Sequence, residues 1–166
     1  MGAAVQILLA DDHALLVDAL EALLGALGDL TILKAYDWEQ AHAAAANAAA
    51  PIALALLDLC MPGMSGLAGV RLFRSSFHDV RVAVTVEDAS PATARAVIEA
   101  GAVGFLPKTI GGRAMLHAVR RILAGEVYVP PEFGSQAHNL TQIVMPSAAD
   151  ALLSRLSGRS GETNSR

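Results

Sequence analysis

Residues 52–66 read IALALLDLCMPGMSG. The first six, residues 52–57, are apolar with no alternation, the pattern of a strand covered on both faces, as in a parallel sheet. The run stops at a charge, Asp58, and a loop with two glycines and a proline follows. A strand that ends in a carboxylate and a flexible loop offers a place for chemistry as well as a turn.

Three other runs end the same way. VQILLA meets Asp11-Asp12, RVAV meets Thr85, and VGFLP meets Lys108. Turn residues or a helical pattern follow each one, so each polar residue falls where a parallel strand stops and its crossover begins. In an open α/β sheet the carboxyl ends of the strands share one edge, and ligands bind there. The sequence therefore predicts that Asp11, Asp12, Asp58, Thr85 and Lys108 meet.

Taken singly, each residue has an ordinary explanation. An Asp before an apolar helix is a common N-cap, and a strand-end Asp often closes an Asx-turn. Threonine suits strands, and most lysines are solvated. Together they carry more. Adjacent carboxylates repel unless a cation lies between them, and Mg²⁺ prefers oxygen ligands. A carboxylate can attack phosphorus to form an aspartyl phosphate, and an ammonium on a flexible stem can reach a phosphoryl oxygen.

The pattern around these points is a strict β/α alternation. Strands are expected at Val5–Ala10, Leu30–Ala35, 52–57, 81–85 and 103–106. The first helix is expected to be capped by Asp12 and to turn Leu15, Leu16, Ala19, Leu20, Leu23, Leu24 and Leu27 inward. Asp37 should cap an Ala-rich helix running from Trp38 to about residue 50, where Pro51 stops it. Further helices are expected over about 66–76, from Ser90 and Pro91 to Gly101, and over 111–124. Five strands and five helices in this order argue an α/β fold with a doubly wound parallel sheet.

Composition bounds the function. The chain has 166 residues, 54% hydrophobic and 17% charged, with a formal net charge of −4. Such a chain can bury a large core, and it presents no global basic field for nucleic acid or anionic lipid. One cysteine, Cys60, excludes an internal disulfide and suits a reducing cytoplasm. The N-terminal MGAAVQILLA lacks the basic start of a signal peptide, and no apolar run is long enough for a membrane span.

At this point the chain resembles the response-regulator receiver domains of two-component signalling. The Asp-Asp pair, LLDLCMPGMSGL, the strand-four Thr and GFLPK match that family in order and spacing over about residues 4–128. LADDHALL, GFLPK and AGEVYVPPEF further resemble its LuxR/NarL-type subgroup. The resemblance implies a flavodoxin-like (βα)5 sheet in strand order 2-1-3-4-5. It makes Asp58 the phospho-acceptor, served by a histidine kinase or phosphotransfer protein. It gives Mg²⁺ to Asp11, Asp12, Asp58 and the backbone carbonyl of Cys60. Thr85 becomes the switch hydroxyl, Phe105 the aromatic that turns inward with it, and Lys108 the partner of the phosphoryl oxygens. Phosphorylation would then alter the face formed by helix four, strand five and helix five. Two copies could pair through helix one or helix five.

The chain departs from the pattern in two places. Cys60 stands where the subgroup often has a polar side chain, at a position that faces the water of dephosphorylation. A haloacid-dehalogenase type phosphatase would need a carboxylate there, which argues against an enzyme. Residues 129–166 read as a linker and a largely irregular tail, with the last ten disordered. Only 25 residues follow Thr141, too few for the subgroup's helix-turn-helix. The alternatives are a free-standing receiver and a truncated LuxR-type transcriptional regulator, with no specific DNA binding expected of this chain alone. A receiver that is no longer phosphorylated and works only through protein contacts is opposed by the intact acidic residues. The histidines show no ligand spacing, His13 sits beside the site without an obvious catalytic partner, and Arg113, Arg120 and Arg121 read as a solvated face.

Overall fold

The computed structural model describes residues 5–134. The sequence expectations for the tail beyond residue 134 lie outside the described residues. Five parallel strands, β1 (Val5–Ala10), β2 (Leu30–Ala35), β3 (Ile52–Asp58), β4 (Arg81–Val86) and β5 (Gly104–Pro107), form one sheet in the order β2-β1-β3-β4-β5. Between them run α1 (Ala14–Leu24), α2 (Trp38–Ala46), α3 (Leu67–Ser76) and α4 (Pro91–Glu99), with α5 (Gly112–Leu123) after β5. This is the flavodoxin-like receiver topology that the resemblance implies.

Alternation of side chains along each strand divides the core. Ile7, Leu9, Leu54, Leu56, Ala83 and Leu106 pack under α1 and α5. Leu8, Ala10, Leu57, Val82, Val84 and Phe105 pack under α2, α3 and α4. Central β3 is buried along nearly its whole length, which explains its unbroken apolar sequence.

Several helix details differ from the sequence expectation. His13, not Asp12, is the N-cap of α1, because Asp11 Oδ1 turns back to accept the His13 amide at 2.9 Å. Leu15 is 86% exposed and Ala19 is also exposed, whereas Val17 is buried with Leu20 and Leu24. Apolar residues surround so much of α1 that spacing alone does not pick the face; contact with the sheet does. The α2 helix ends at Ala46, well before Pro51. There the Asn47 side-chain amide donates to the Ala43 carbonyl at 2.8 Å and competes with the next helical turn. The expected caps at Asp37 and Ser90 are present, accepting from the Gln40 and Thr93 amides.

Beyond α5 the chain returns to the sheet. The Tyr128 carbonyl accepts the Phe105 amide, and the Tyr128 amide donates to Val103, both at 2.9 Å. A single helical turn, α6 (Pro131–Gly134), follows. It sets Phe133 edge-to-face on Phe105, with ring centroids 5.6 Å apart.

Candidate acidic phosphoacceptor site

Strand register assembles the site. Ala10 lies beside Leu57, Asp58 beside Thr85, and Thr85 beside Leu106. One step past these pairs the strands end, so Asp11, Asp58, Thr85 and Lys108 emerge together at the carboxyl edge. Backbone bonds continue each ladder by one residue: the Asp11 amide donates to Ala35, Leu59 to Thr85 and Lys108 to Val86.

Asp58 is 1% exposed. Its Oδ1 accepts the Cys60 amide at 3.2 Å, an Asx-type turn that fixes the carboxylate at the start of the loop. The Lys108 ammonium lies 3.1 Å from Asp58 Oδ2 and 2.8 Å from Asp11 Oδ2. These contacts are ionic, out of line for well-formed hydrogen bonds. Exposed Glu87, in the loop after β4, stands 3.9 Å from the same ammonium.

The electrostatics follow from burial. Desolvation raises the Asp58 carboxyl above the ordinary carboxylate range, against the pull of the Cys60 amide and Lys108. Burial lowers the Lys108 ammonium, but the Asp11 and Asp58 carboxylates outweigh it and the net shift is upward. The two groups therefore hold each other in charged form, in a place where either would be costly alone.

Asp12 is more exposed than Asp11 and stands at the mouth. Thr85 is buried beside Asp58, and its other side lines a cavity of about 150 Å³ between α1 and α5. Phe105 is not part of this cluster. It is fully buried on the opposite face, under α4 and Phe133. Cys60 is exposed and free, in the loop beyond Asp58. The sequence reading set His13 beside the site without a partner; in the structure its Nδ1 lies 3.0 Å from Asp11 Oδ1 and 3.1 Å from Asp12 Oδ1. Spacing between histidines could not reveal it, because its partners are the two residues just before it.

The residues present suit a divalent cation. Ligand atoms of Asp11, Asp12, His13 and Asp58 lie within 4.8 Å of one another. Three carboxylates against one ammonium leave a formal balance of −2.

A family model for the response regulator receiver domain matches residues 7–120. The chain belongs to that family. Among curated relatives, the response regulator GacA of Pseudomonas protegens is 31% identical over 133 residues, covering 80% of this chain and 62% of that protein. The transcriptional activator protein ExaE of Pseudomonas putida is 34% identical over 131 residues, covering 78% of this chain and 60% of that protein. Among solved structures, a LuxR family DNA-binding response regulator from Silicibacter pomeroyi is 30% identical with a TM-score of 0.67, covering 76% of this chain and 98% of that one. The receiver therefore belongs with LuxR-type relatives, and the chain spans about three fifths of the length of the curated ones it matches. No helix among the described residues is long and apolar enough to cross a membrane.

Proposed function

We propose that this receiver takes a phosphoryl group onto Asp58 from a phosphohistidine of a histidine kinase or phosphotransfer protein. The observation that carries this reading is the buried Asp58 carboxylate held beside Lys108 at the shared strand edge. One carboxylate oxygen attacks phosphorus in line as the P–N bond of the donor breaks. The electron pair leaves on the donor's imidazole nitrogen, which takes up a proton. Asp11, Asp12, Asp58 and the Cys60 carbonyl would hold Mg²⁺, which when bound offsets charge on the phosphoryl oxygens.

Lys108 is placed to follow the new charge. Once Asp58 is converted to the acyl phosphate, its pairing with the ammonium at 3.1 Å passes to the phosphoryl oxygens. The Thr85 hydroxyl, one strand over, hydrogen-bonds the same group. Movement of Thr85 toward the phosphoryl group pulls on β4 and on its register neighbour Leu106 of β5, and so changes the face of α4, β5 and α5. The domain acts as a signalling module, not as a phosphatase that turns over a substrate. Cys60, two residues past Asp58, cannot supply the acid that a dehalogenase-type reaction needs. The domain boundary is placed at about residue 128, and we read the protein as cytoplasmic, where its one cysteine stays reduced.

The length of the relatives favours a second reading alongside the first. In a longer protein this receiver would govern a DNA-binding part, as the descriptions of ExaE and the Silicibacter protein suggest for them. Alone it should give no specific shift of DNA in a low-salt mobility assay.

The test of phosphoryl transfer is direct. The protein is incubated with a small phosphodonor and Mg²⁺, then weighed intact by mass spectrometry. The expected result is an acid-stable, base-labile gain of one phosphoryl group that Asp58→Ala lacks. No gain in the parent, or an equal gain in the variant, refutes the assignment.

A further inference from the structure

Phosphoryl transfer makes no use of the cavity of about 150 Å³ between α1 and α5. Its walls are aliphatic. Leu16, Leu20 and Leu23 share one face of α1, and Ile110 and Met115, before and within α5, complete the wall. Ala19 and Gly112 also line it; both are small and exposed, which leaves the cavity open to solvent at this rim. The rim is narrow, since a Cβ on Gly112 would come within 3.3 Å of Leu23 Cδ1.

The opposite end is polar. Thr85, 3% exposed, and the largely buried Lys108 form it. The Lys108 charge is already taken by Asp11 and Asp58, at 2.8 and 3.1 Å, so it is not free to pair with an anion entering from this side. A cation would lose its hydration against the aliphatic walls, with no carboxylate among the lining residues to replace it. Thr85 offers a hydroxyl, which both donates and accepts. Charge therefore selects a neutral occupant with a single polar point.

Volume sets its size. Drug-sized ligands occupy pockets of about 300 Å³ or more, whereas a cavity of about 150 Å³ lined by aliphatic side chains takes up a benzene-sized molecule. We propose that the α1–α5 cavity is a binding site for an uncharged molecule of about that size, whose oxygen hydrogen-bonds the Thr85 hydroxyl. The site stands independently of the phosphoryl reading. Thr85 also pairs in register with Asp58, so a molecule held here touches the acidic edge through that side chain.

Titration of the full chain with benzyl alcohol, followed by methyl resonances, tests the site. The expected result is saturable shifts confined to Leu16, Leu20, Leu23, Ile110 and Met115. Benzoate and benzylammonium, similar in size but charged, should bind at least about tenfold more weakly. Ala19→Met and Leu23→Phe, tested separately, add volume from α1 and should each weaken benzyl alcohol about tenfold. Thr85→Val should weaken benzyl alcohol about fivefold and toluene less than about twofold, while Thr85→Ser matches the parent. Shifts that never saturate, charged analogues that bind equally, or affinity unchanged in both filling variants overturn the proposal. Equal losses of benzyl alcohol and toluene in Thr85→Val overturn the assigned hydrogen bond. Sedimentation showing that the shifts report pairing of two copies gives the cavity to a second chain and also overturns it.

Discussion

Replacing Lys108 by Met removes the ammonium and keeps most of the side-chain volume. Two buried carboxylates, 2.8 and 3.1 Å from Nζ, then lose their shared counter-charge. Removing one partner of a buried ion pair costs about 3–5 kcal/mol, because the remaining charge is left desolvated. Here the loss is limited by Asp58 itself. Its carboxyl is already raised by burial, and Lys108 is one of the groups holding it down, so the variant raises it further. A folded carboxyl above its unfolded value means that the folded state binds more protons. Stability is then greatest below the unfolded value and falls as pH rises through the folded one. In EDTA, Lys108→Met should therefore be less stable than the parent by about 3 kcal/mol at pH 7.5, with a smaller deficit near pH 5. Adding Asp58→Asn should restore much of the difference. Urea unfolding followed by circular dichroism measures each value. A deficit that is absent at pH 7.5, that grows toward pH 5, or that Asp58→Asn leaves untouched would refute the reasoning.

Other positions give simpler outcomes. A Cβ at Gly104 would stand 2.6 Å from the Ile122 side chain and 2.7 Å from that of Ala83, so Gly104→Ala should cost about 1–3 kcal/mol by overpacking, read from the urea midpoint. Asp37→Ala removes the cap that accepts the Gln40 amide at 2.7 Å and should cost about 1 kcal/mol in the same assay. Gln6 is buried with Oε1 unpaired, so Gln6→Met should be neutral or stabilise by up to about 1 kcal/mol. Phe133→Ala loses the edge-to-face contact with Phe105 and should cost about 1 kcal/mol, with a change in the near-ultraviolet dichroism of the aromatic residues.

The carboxyl-edge residues were legible because a parallel sheet leaves its strand ends together. Once β1, β3, β4 and β5 were recognised, Asp11, Asp58, Thr85 and Lys108 had to converge. Contacts that depend on more than strand order were not legible. Val17 replaces Leu15 on the buried stripe of α1 because the sheet selects among several apolar faces. The end of α2 at Asn47 was hidden in an alanine run that has no periodicity to lose. A single turn such as α6 is too short to leave a pattern, so the cover over Phe105 was invisible. His13 was placed beside the site, but its partners were not legible: a histidine next to them in sequence offers no spacing to recognise.

The return of Tyr128 to β5 has a wider effect. An outer strand normally exposes a row of unpaired amides and carbonyls onto which another chain can add. Here the Phe105 amide and the Val103 carbonyl are already taken by the protein's own backbone, and α6 closes over the segment beyond. The sheet is thereby terminated at this rim, which protects the apolar GFLP strand from templating aggregation.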